Sequence, residues 1–263
     1  MTVLNDLAEA FLQIQLTRRL QSGISVDLTA LSIEDAYEVQ RRVIAARVAR
    51  GEKVVGYKVG CTSDAIRRQL GLNEPICGRL LAPHVYFGSP EANTFLQWSD
   101  YVGCAVEPEF VFRIRKDLPG DVQDEAELAD AIEWVAPGIE VHNHQFWFGK
   151  PSLQELIASN GIHAALVVGA DRVDASIQDL ALEGVGVFVD GQLRTSGIGC
   201  EIMGGPLKSL RWLVHHLARH GEHLAAGQIV IPGSPVGLVS VEPGDVVAAR
   251  FTRVGSVEVE FAA

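Results

Sequence analysis

The chain has 263 residues, which suits one large domain or two modest ones and is long enough to bury a substantial core. Hydrophobic residues make up 48% and charged residues 21% of the sequence, so the chain is neither disordered nor supercharged. Lys+Arg number 22 and Asp+Glu 33, and the formal net charge of −11 leaves little general attraction for nucleic acid or anionic lipid.

Two amphipathic helices are predicted within residues 1–50. Apolar side chains recur at helical spacing over residues 4–14 in the first of them. Ser32 and Asp35 resemble a capping box that opens the second helix, and Gly51 is placed to end it. We expect both helices to serve packing.

The next region is predicted to hold one strand, one short helix and many turns. Residues 54–60 are strand-like, and Ser63 is placed to cap a helix over residues 64–70. Six Gly and Pro residues predict mostly turns over residues 71–100. A domain boundary is therefore expected within residues 72–92.

Strands dominate the second part of the chain. Seven are predicted, over residues 105–114, 135–142, 164–169, 184–189, 228–231, 246–252 and 256–261. Asp190 and Gly191 form a hairpin turn signal between apolar runs. A long helix is predicted over residues 206–220, with Pro206 at or near its first position.

This order of elements predicts an α+β fold with a mostly β core. We divide the chain into an N-terminal helical and mixed region, residues 1–80, and a β core that carries the functional site, residues 81–263.

The cysteines and the N-terminus exclude several classes of protein. No pair of the four cysteines has C-x-x-C spacing, so neither a zinc site nor a thioredoxin-like motif is supported. The N-terminus has early acidic residues and no basic segment, unlike a signal peptide, and no apolar run approaches the ~18 residues of a membrane span. We expect a cytoplasmic protein with no membrane or nucleic-acid partner.

Acidic side chains alternate with apolar ones on two of the predicted strands. Glu107 and Glu109 share one face of the first, and Glu140 shares a face with His142 on the next. If these strands are neighbours, the three carboxylates form a pocket whose mutual repulsion a divalent cation would relieve. All-oxygen ligands favour Mg²⁺, Mn²⁺ or Ca²⁺. The alternative is a pair of solvated strand faces.

Several basic side chains also have two interpretations. Lys58 lies in a short apolar strand between glycines, where it could meet an anion or oxyanion, or discourage aggregation at a sheet edge. His142 and His144 lie on the side of the expected pocket, and either could carry a proton. His216 and His220 have the i,i+4 spacing of zinc sites, but the helix dipole and cap explain them better.

Three motifs in chain order give the sequence a resemblance to the fumarylacetoacetate hydrolase superfamily. They are Gly-Tyr-Lys-Val-Gly-Cys-Thr-Ser at residues 56–63, Glu-x-Glu at residues 107–109 and Pro-x-Ile-Glu at residues 137–140. A Gly-x-Pro-Leu motif at residues 204–207 and later Gly turns extend the match over nearly the whole chain. More narrowly, the chain is similar to the 2-oxopent-4-enoate hydratase and 2-oxo-3-hexenedioate decarboxylase group.

The resemblance implies a fold, a metal site and an assembly. The core would be a mostly β roll carrying Mg²⁺ or Mn²⁺ on Glu107, Glu109 and Glu140, with Lys58 beside a small 2-oxo acid substrate. Chains of this family often form homo-oligomers, as pentamers or decamers. The positions implied to bind substrate are Thr62, Ser63, Ile76, Asn160, His163, Gly233 and Ser234.

The chain departs from the pattern of many relatives at three places. Ile76 stands where many have Asp, residues 142–144 read His-Asn-His in place of Asp-Ser-Arg, and residues 158–163 read Ala-Ser-Asn-Gly-Ile-His in place of Ala-Asp-Asn-x-Ser-Ser. Since these positions shape substrate binding and proton transfer, His142 or His144 becomes the candidate acid or base.

The function implied is that of a lyase in the breakdown of aromatic compounds. A metal-dependent hydratase would add water to a 2-hydroxy-2,4-dienoate and form a 4-hydroxy-2-oxo acid, with the metal stabilising the enolate. Lys58 would hold the carboxylate or the developing oxyanion. Three alternatives stay open: a 2-oxo-3-enedioate decarboxylase, an acylpyruvate-type C–C hydrolase, and a non-enzymatic module on the same fold.

Overall fold

The computed structural model describes residues 2–20, 26–64, 67–68, 71–89, 94–122, 124–147, 149, 151–175 and 179–263. The α-helices within these ranges are α1 (Thr2–Thr17), α2 (Ile33–Ala49), α3 (Glu125–Asp130), α4 (Leu153–Ala158) and α5 (Pro206–Arg219). The strands are β1 (Val54–Gly60), β2 (Ile76–Leu81), β3 (Val85–Phe87), β4 (Thr94–Gln97), β5 (Cys104–Ile114), β6 (Ile132–Asn143), β7 (His163–Val168), β8 (Gly184–Val189), β9 (Gln192–Ile198), β10 (Ile229–Ile231), β11 (Val239–Ser240), β12 (Val246–Phe251) and β13 (Ser256–Ala262).

The two N-terminal helices form as predicted and pack on each other. Phe11 of α1 and Val43 of α2 belong to one buried apolar cluster. Ser32 caps α2 by accepting a hydrogen bond from the backbone N–H of Asp35 at 3.0 Å, and Gly51 follows the helix with a φ of +97°. Both helices thus serve packing.

None of the helices in the described ranges has the length and apolar composition needed to cross a bilayer.

Two sheets form the core of the molecule. The larger has the strand order β2-β1-β10-β5-β6-β7-β3, with β11 also paired to β5, and the smaller has the order β4-β13-β12-β8-β9. The rings of Phe110 on β5 and Phe251 on β12 meet edge-on with centroids 5.0 Å apart, so the sheets pack face to face at this point. The mostly β core predicted from the sequence is confirmed.

Alternation along β5 decides which face of the larger sheet carries the polar side chains. Phe110, Phe112 and Ile114 belong to the main apolar core. Val111 belongs to a separate cluster on the opposite face, with Leu166 of β7. Odd-numbered side chains of β5 therefore face away from the main core.

Most predicted elements form within a residue or two of the expected bounds, but residues 71–100 do not. The prediction of mostly turns there is wrong, because β2, β3 and β4 form in this stretch. β2 pairs antiparallel with β1 from Gly60↔Ile76 to Val54↔Leu81, a long-range contact that the local Gly and Pro content does not reveal. The predicted helix over residues 64–70 lies partly outside the described residues.

Two further features bear on the sequence analysis. Asp190 and Gly191 both have positive φ, which confirms the tight hairpin between β8 and β9. The division after residue 80 stays a prediction. It falls within β2, and both β1 and β2 lie in the same sheet as β5.

Candidate active site

The β5–β6 pairing places two carboxylates side by side. Glu107 lies directly opposite Glu140 in the antiparallel register, and Glu109 lies opposite Gly138. Glu140 is 0% and Glu109 1% exposed, and the side chain of Glu107 is 21% exposed. The alternative of solvated strand faces is therefore wrong for Glu109 and Glu140, whereas Glu107 is partly exposed.

Lys58 is a buried cation in this carboxylate cluster. Its strand, β1, is flanked by β2 and β10, so the interpretation as an edge-strand lysine is wrong. Its Nζ lies 3.1 Å from Oε1 of Glu140 and donates a hydrogen bond to the carbonyl oxygen of Gly161, also at 3.1 Å. Burial opposes the charge, but the carboxylates of Glu140 and its neighbours outweigh burial and raise the pKa of Lys58.

Two glycines leave the room that the lysine side chain needs. A Cβ on Gly161 would lie 3.1 Å from Cδ and 3.2 Å from Nζ of Lys58, and Gly161 has a φ of +65°. A Cβ on Gly78 would lie 2.9 Å from Cγ of Lys58. Any larger residue would crowd the lysine, and at residue 161 it would also be strained.

His142 completes a compact group of possible metal ligands. Its Nε2 lies 3.2 Å from Oε2 of Glu107 and 3.4 Å from Oε2 of Glu140, and the residue is 2% exposed. One donor atom from each of these three residues lies within 4.8 Å of the other two. Within the described residues, neither nitrogen of His142 nor Oε2 of Glu140 has a hydrogen-bond partner.

Glu109 lies beside this group but is held differently. Its Oε2 accepts a hydrogen bond from the backbone N–H of Gly233 at 3.0 Å. Burial, and then the charges of Glu140 and Glu107, raise the pKa of Glu109 well above its ordinary range. Burial alone would raise the pKa of Glu140 too, but Lys58 and the neighbouring histidines lower it. The two buried carboxylates therefore differ in their surroundings, since Lys58 contacts Glu140 directly.

His163 joins the cluster from the neighbouring strand. It pairs with His142 in the β6–β7 register, and its Nδ1 lies 2.8 Å from Oε1 of Glu140. Burial, with the nearby charge of Lys58, lowers the pKa of His163 despite the Glu140 carboxylate. A neutral ring that donates from Nδ1 carries its lone pair on Nε2, which is buried and unpartnered among the described residues.

His144, the other candidate proton carrier, lies elsewhere. It follows the end of β6, is exposed, and meets the ring of Phe146 edge-on with centroids 5.4 Å apart.

The side chain of Asn160 bonds the backbone of β2 near the site. Its side-chain oxygen accepts from the N–H of Arg79 at 2.7 Å, and its side-chain nitrogen donates to the carbonyl of the same residue at 2.9 Å. These bonds tie the turn before β7 to β2, and so fix the carbonyl of Gly161 beside Lys58.

The structure also describes the remaining residues that were expected to bind substrate. Thr62 is buried and packs against Gly233, where a Cβ would come within 2.5 Å of Thr62 Cγ2. Ile76 is buried at the start of β2. The Ser63 carbonyl accepts from a helical N–H four residues on, and Ser234 Oγ accepts from an N–H two residues on, at 3.2 Å.

Sequence reasoning missed two features of this arrangement. The Gly161 carbonyl has no side-chain signature, and only the structure reveals its bond to Lys58. The contact of His142 with two carboxylates was detectable in part, since alternation had already placed it on the face of Glu140. The unsatisfied Oε2 of Glu140 and Nε2 of His142 fit a divalent cation.

Comparisons with known proteins show the family of the chain. The sequence model described as fumarylacetoacetate (FAA) hydrolase C-terminal matches residues 57–262. The chain is 30% identical over 231 residues to the 2-keto-4-pentenoate hydratase of Paraburkholderia xenovorans (strain LB400), which spans 88% of this chain and 84% of the relative. It is 30% identical over 238 residues to the 4-oxalocrotonate decarboxylase of Pseudomonas sp. (strain CF600), spanning 90% and 89% of the two chains.

A solved structure matches over nearly the whole molecule. It is the 4-oxalocrotonate decarboxylase from Pseudomonas putida G7, complexed with magnesium and adipate. The TM-score is 0.91 at 28% identity, with 99% of this chain and 97% of that chain covered.

Proposed function

This chain belongs to the fumarylacetoacetate (FAA) hydrolase C-terminal family, and we propose that it is a lyase, a metal-dependent hydratase of 2-hydroxy-2,4-dienoates. The observation that carries the proposal is the buried cluster in which Glu107 and Glu140 face each other with Lys58 bound to Glu140. The names of relatives at about 30% identity support the same chemistry.

We assign the divalent cation, Mg²⁺ or Mn²⁺, to Glu107, Glu109 and Glu140, the three carboxylates that the sequence analysis named. When bound, such an ion acts as a Lewis acid on the 2-oxo and carboxylate oxygens of a 2-oxo acid. Glu140 presents only Oε2 to it, because Oε1 is bound by Lys58 and His163.

Lys58 orients the substrate in this proposal. An ammonium has three N–H donors, and in the described residues two of them have partners, Oε1 of Glu140 and the carbonyl of Gly161. The third would bind the substrate carboxylate or the oxyanion as the enol loses its proton. In a site from which water is excluded, such a fixed cation stabilises developing negative charge strongly.

His163 is the proposed proton carrier. Its Nδ1–H is held by Glu140, so the free lone pair on Nε2 is available to accept the enol proton of a 2-hydroxydienoate. Delivery of that proton to C5 gives the conjugated 2-oxo-3-enoate, and addition of water at C4 gives the 4-hydroxy-2-oxo acid. His144, exposed beyond the end of β6, remains an untested alternative.

A decarboxylase is the second candidate, and a specific observation favours it. The solved structure with a TM-score of 0.91 is a 4-oxalocrotonate decarboxylase, described with a bound dicarboxylate, adipate. Loss of CO₂ from a 2-oxo-3-enedioate reaches the same kind of dienolate, so one cluster serves both reactions. The products separate them.

The deciding experiment is a metal-dependent ultraviolet assay. EDTA-treated protein is given 2-hydroxypenta-2,4-dienoate, Mg²⁺ or Mn²⁺ is added, and the products are assigned by NMR. Metal-dependent loss of the dienol with formation of 4-hydroxy-2-oxopentanoate supports the hydratase. Persistence of the dienol under both metals, with CO₂ released from 2-oxo-3-hexenedioate, would identify the decarboxylase.

We also propose that the protein is a homo-oligomer, a pentamer or decamer as the family resemblance implies. Phe87 and Phe95 are 54% and 60% exposed, and burying them between subunits would remove apolar surface from water. Light scattering would give the subunit number. A cytoplasmic location stays a prediction.

A further inference from the structure

His142 makes close contacts that ordinary hydrogen bonding does not account for. Its Nε2 lies within 3.4 Å of two carboxylate oxygens, Oε2 of Glu107 and Oε2 of Glu140. Nevertheless, within the described residues neither ring nitrogen has a hydrogen-bond partner, and Oε2 of Glu140 has none either. A buried polar group left in this way is costly, because it has lost water and gained nothing in return.

The three atoms are spaced as ligands of one ion would be. Neighbouring ligands of an octahedral ion with bonds of ~2.1 Å are about 3 Å apart. The separations of His142 Nε2 from the two carboxylate oxygens, 3.2 and 3.4 Å, are close to that value. One donor atom from each of the three residues lies within 4.8 Å of the other two. An ion among them would satisfy Nε2 of His142 and Oε2 of Glu140 together.

We propose that His142 is itself a ligand of the metal, giving the site one imidazole nitrogen in addition to its carboxylate oxygens. This inference rests on the metal site of the proposed function and deepens it. Imidazole suits transition metals, whereas Mg²⁺ prefers oxygen. The resident ion is therefore a first-row divalent transition metal, such as Mn²⁺ or Co²⁺, and Mg²⁺ binds less well. His142 holds the ion and does not carry the proton.

The neighbouring histidines are placed differently. His163 contacts Oε1 of Glu140, the oxygen that Lys58 also binds, and not Oε2, which lies near His142. His144 is exposed and packs on Phe146. His142 is the histidine whose nitrogen meets both carboxylate oxygens.

Pulsed electron paramagnetic resonance on the Mn²⁺-loaded protein reads the ligand directly. We expect modulation from a directly bound ¹⁴N, replaced by the ¹⁵N pattern when the protein is grown on ¹⁵N-histidine. This measurement needs no substitution, so it holds even if variants of the buried His142 fold poorly. Bound Mn²⁺ without nitrogen coupling overturns the inference and leaves the carboxylate site intact.

Variants then identify which histidine supplies the bound nitrogen. His142→Asp replaces the nitrogen ligand with an oxygen ligand, so we expect the ¹⁴N coupling to Mn²⁺ to vanish. The preference for Mn²⁺ over Mg²⁺, measured by titration calorimetry, should fall by at least ~10-fold. His144→Gln and His163→Gln serve as matched controls that keep the coupling. If coupling persists in the His142→Asp protein, another histidine is the ligand and the inference is wrong.

The metal site itself is tested separately. If the Glu107→Gln and Glu140→Gln proteins bind Mn²⁺ as tightly as the unmodified protein, the carboxylate site of the proposed function is overturned. Failure of the His142 inference alone leaves Mn²⁺ binding dependent on both glutamates, with all-oxygen coordination.

Discussion

Lys58 and Glu140 form an ion pair inside the larger sheet, with Nζ 3.1 Å from Oε1 and both side chains almost fully buried. The lysine contacts one oxygen of the carboxylate, and the other oxygen lies 3.4 Å from Nε2 of His142. The carboxylate therefore serves two partners, a fixed internal cation on one oxygen and the proposed metal ion on the other. Loss of either partner leaves negative charge buried without compensation.

Lys58→Met keeps the length of the side chain and removes its charge. Removing one partner of a buried ion pair costs about 3–5 kcal/mol of unfolding free energy, which we expect for the metal-free protein in urea titrations. Turnover should fall by ~10²–10³-fold, since the fixed positive charge beside the substrate is lost.

The control for this change is Lys53→Met, an exposed lysine just before β1. Surface substitutions of this kind usually change stability by less than about 0.5 kcal/mol. Equal effects of the two substitutions on stability and turnover would contradict the role given to Lys58.

Glu107→Gln tests the metal ligands. The amide keeps the shape of the carboxylate without its charge, so Mn²⁺ affinity should fall by at least ~10-fold in calorimetry, and turnover should fall with it. Glu133→Gln is the matched control, because Glu133 is an exposed glutamate on the adjacent strand β6. If the Glu107→Gln protein binds Mn²⁺ with the affinity of the unmodified protein, Glu107 is not a ligand.

Gly161→Ala tests the space that the chain leaves around Lys58. A left-handed φ costs a non-glycine residue roughly 1–2 kcal/mol, and here the new methyl group would also lie 3.1 Å from Cδ of Lys58. Gly191→Ala has the same kind of backbone, with a φ of +73° and no atom within 4 Å of the new Cβ. Both variants should lose stability, but only Gly161→Ala should lose turnover. Similar activity in the two proteins would show that Lys58 tolerates the crowding.

Sequence alone predicted which side chains share a face, but not which strands meet. Alternation is a local property, so the face shared by Glu107 and Glu109 could be read directly from the residues. The pairing of β5 with β6 joins residues some thirty positions apart, and the register that sets Glu107 opposite Glu140 depends on the whole sheet. The sequence therefore predicted the carboxylate pocket only on the condition that these two strands are neighbours.

The same distinction explains the misjudged parts of the chain. Lys58 could be interpreted as an edge residue because the residues near it in sequence do not show that β2 and β10 flank its strand. β2 itself was missed because Gly78 resembles a turn residue. The structure shows instead that it lies against the Lys58 side chain, where a Cβ would clash.

His216 should make the stability of the protein depend on pH. It is 6% exposed and stacks on Trp212 with ring centroids 4.8 Å apart. Burial, and then the neighbouring His220, lower the pKa of His216 to about 4. In the unfolded chain its pKa returns to about 6.5. Between these values the unfolded state binds the proton and the folded state does not, so stability rises with pH across this window and falls as the solution is acidified from pH 7 toward 4.

One proton released on folding contributes a slope of at most about 1.4 kcal/mol per pH unit. We expect His216→Gln to flatten the pH dependence of the unfolding free energy between pH 7 and 5, as measured by urea titration at each pH. Carboxylates also make the unfolding free energy depend on pH near pH 5. The effect of His216 is therefore the difference in slope between the variant and the unmodified protein. The control is His215→Gln, which removes an exposed histidine one residue earlier and shows whether loss of any histidine from this helix has the same effect. An unaltered slope in the His216→Gln protein would mean that the folded chain accepts the proton there as readily as the unfolded one.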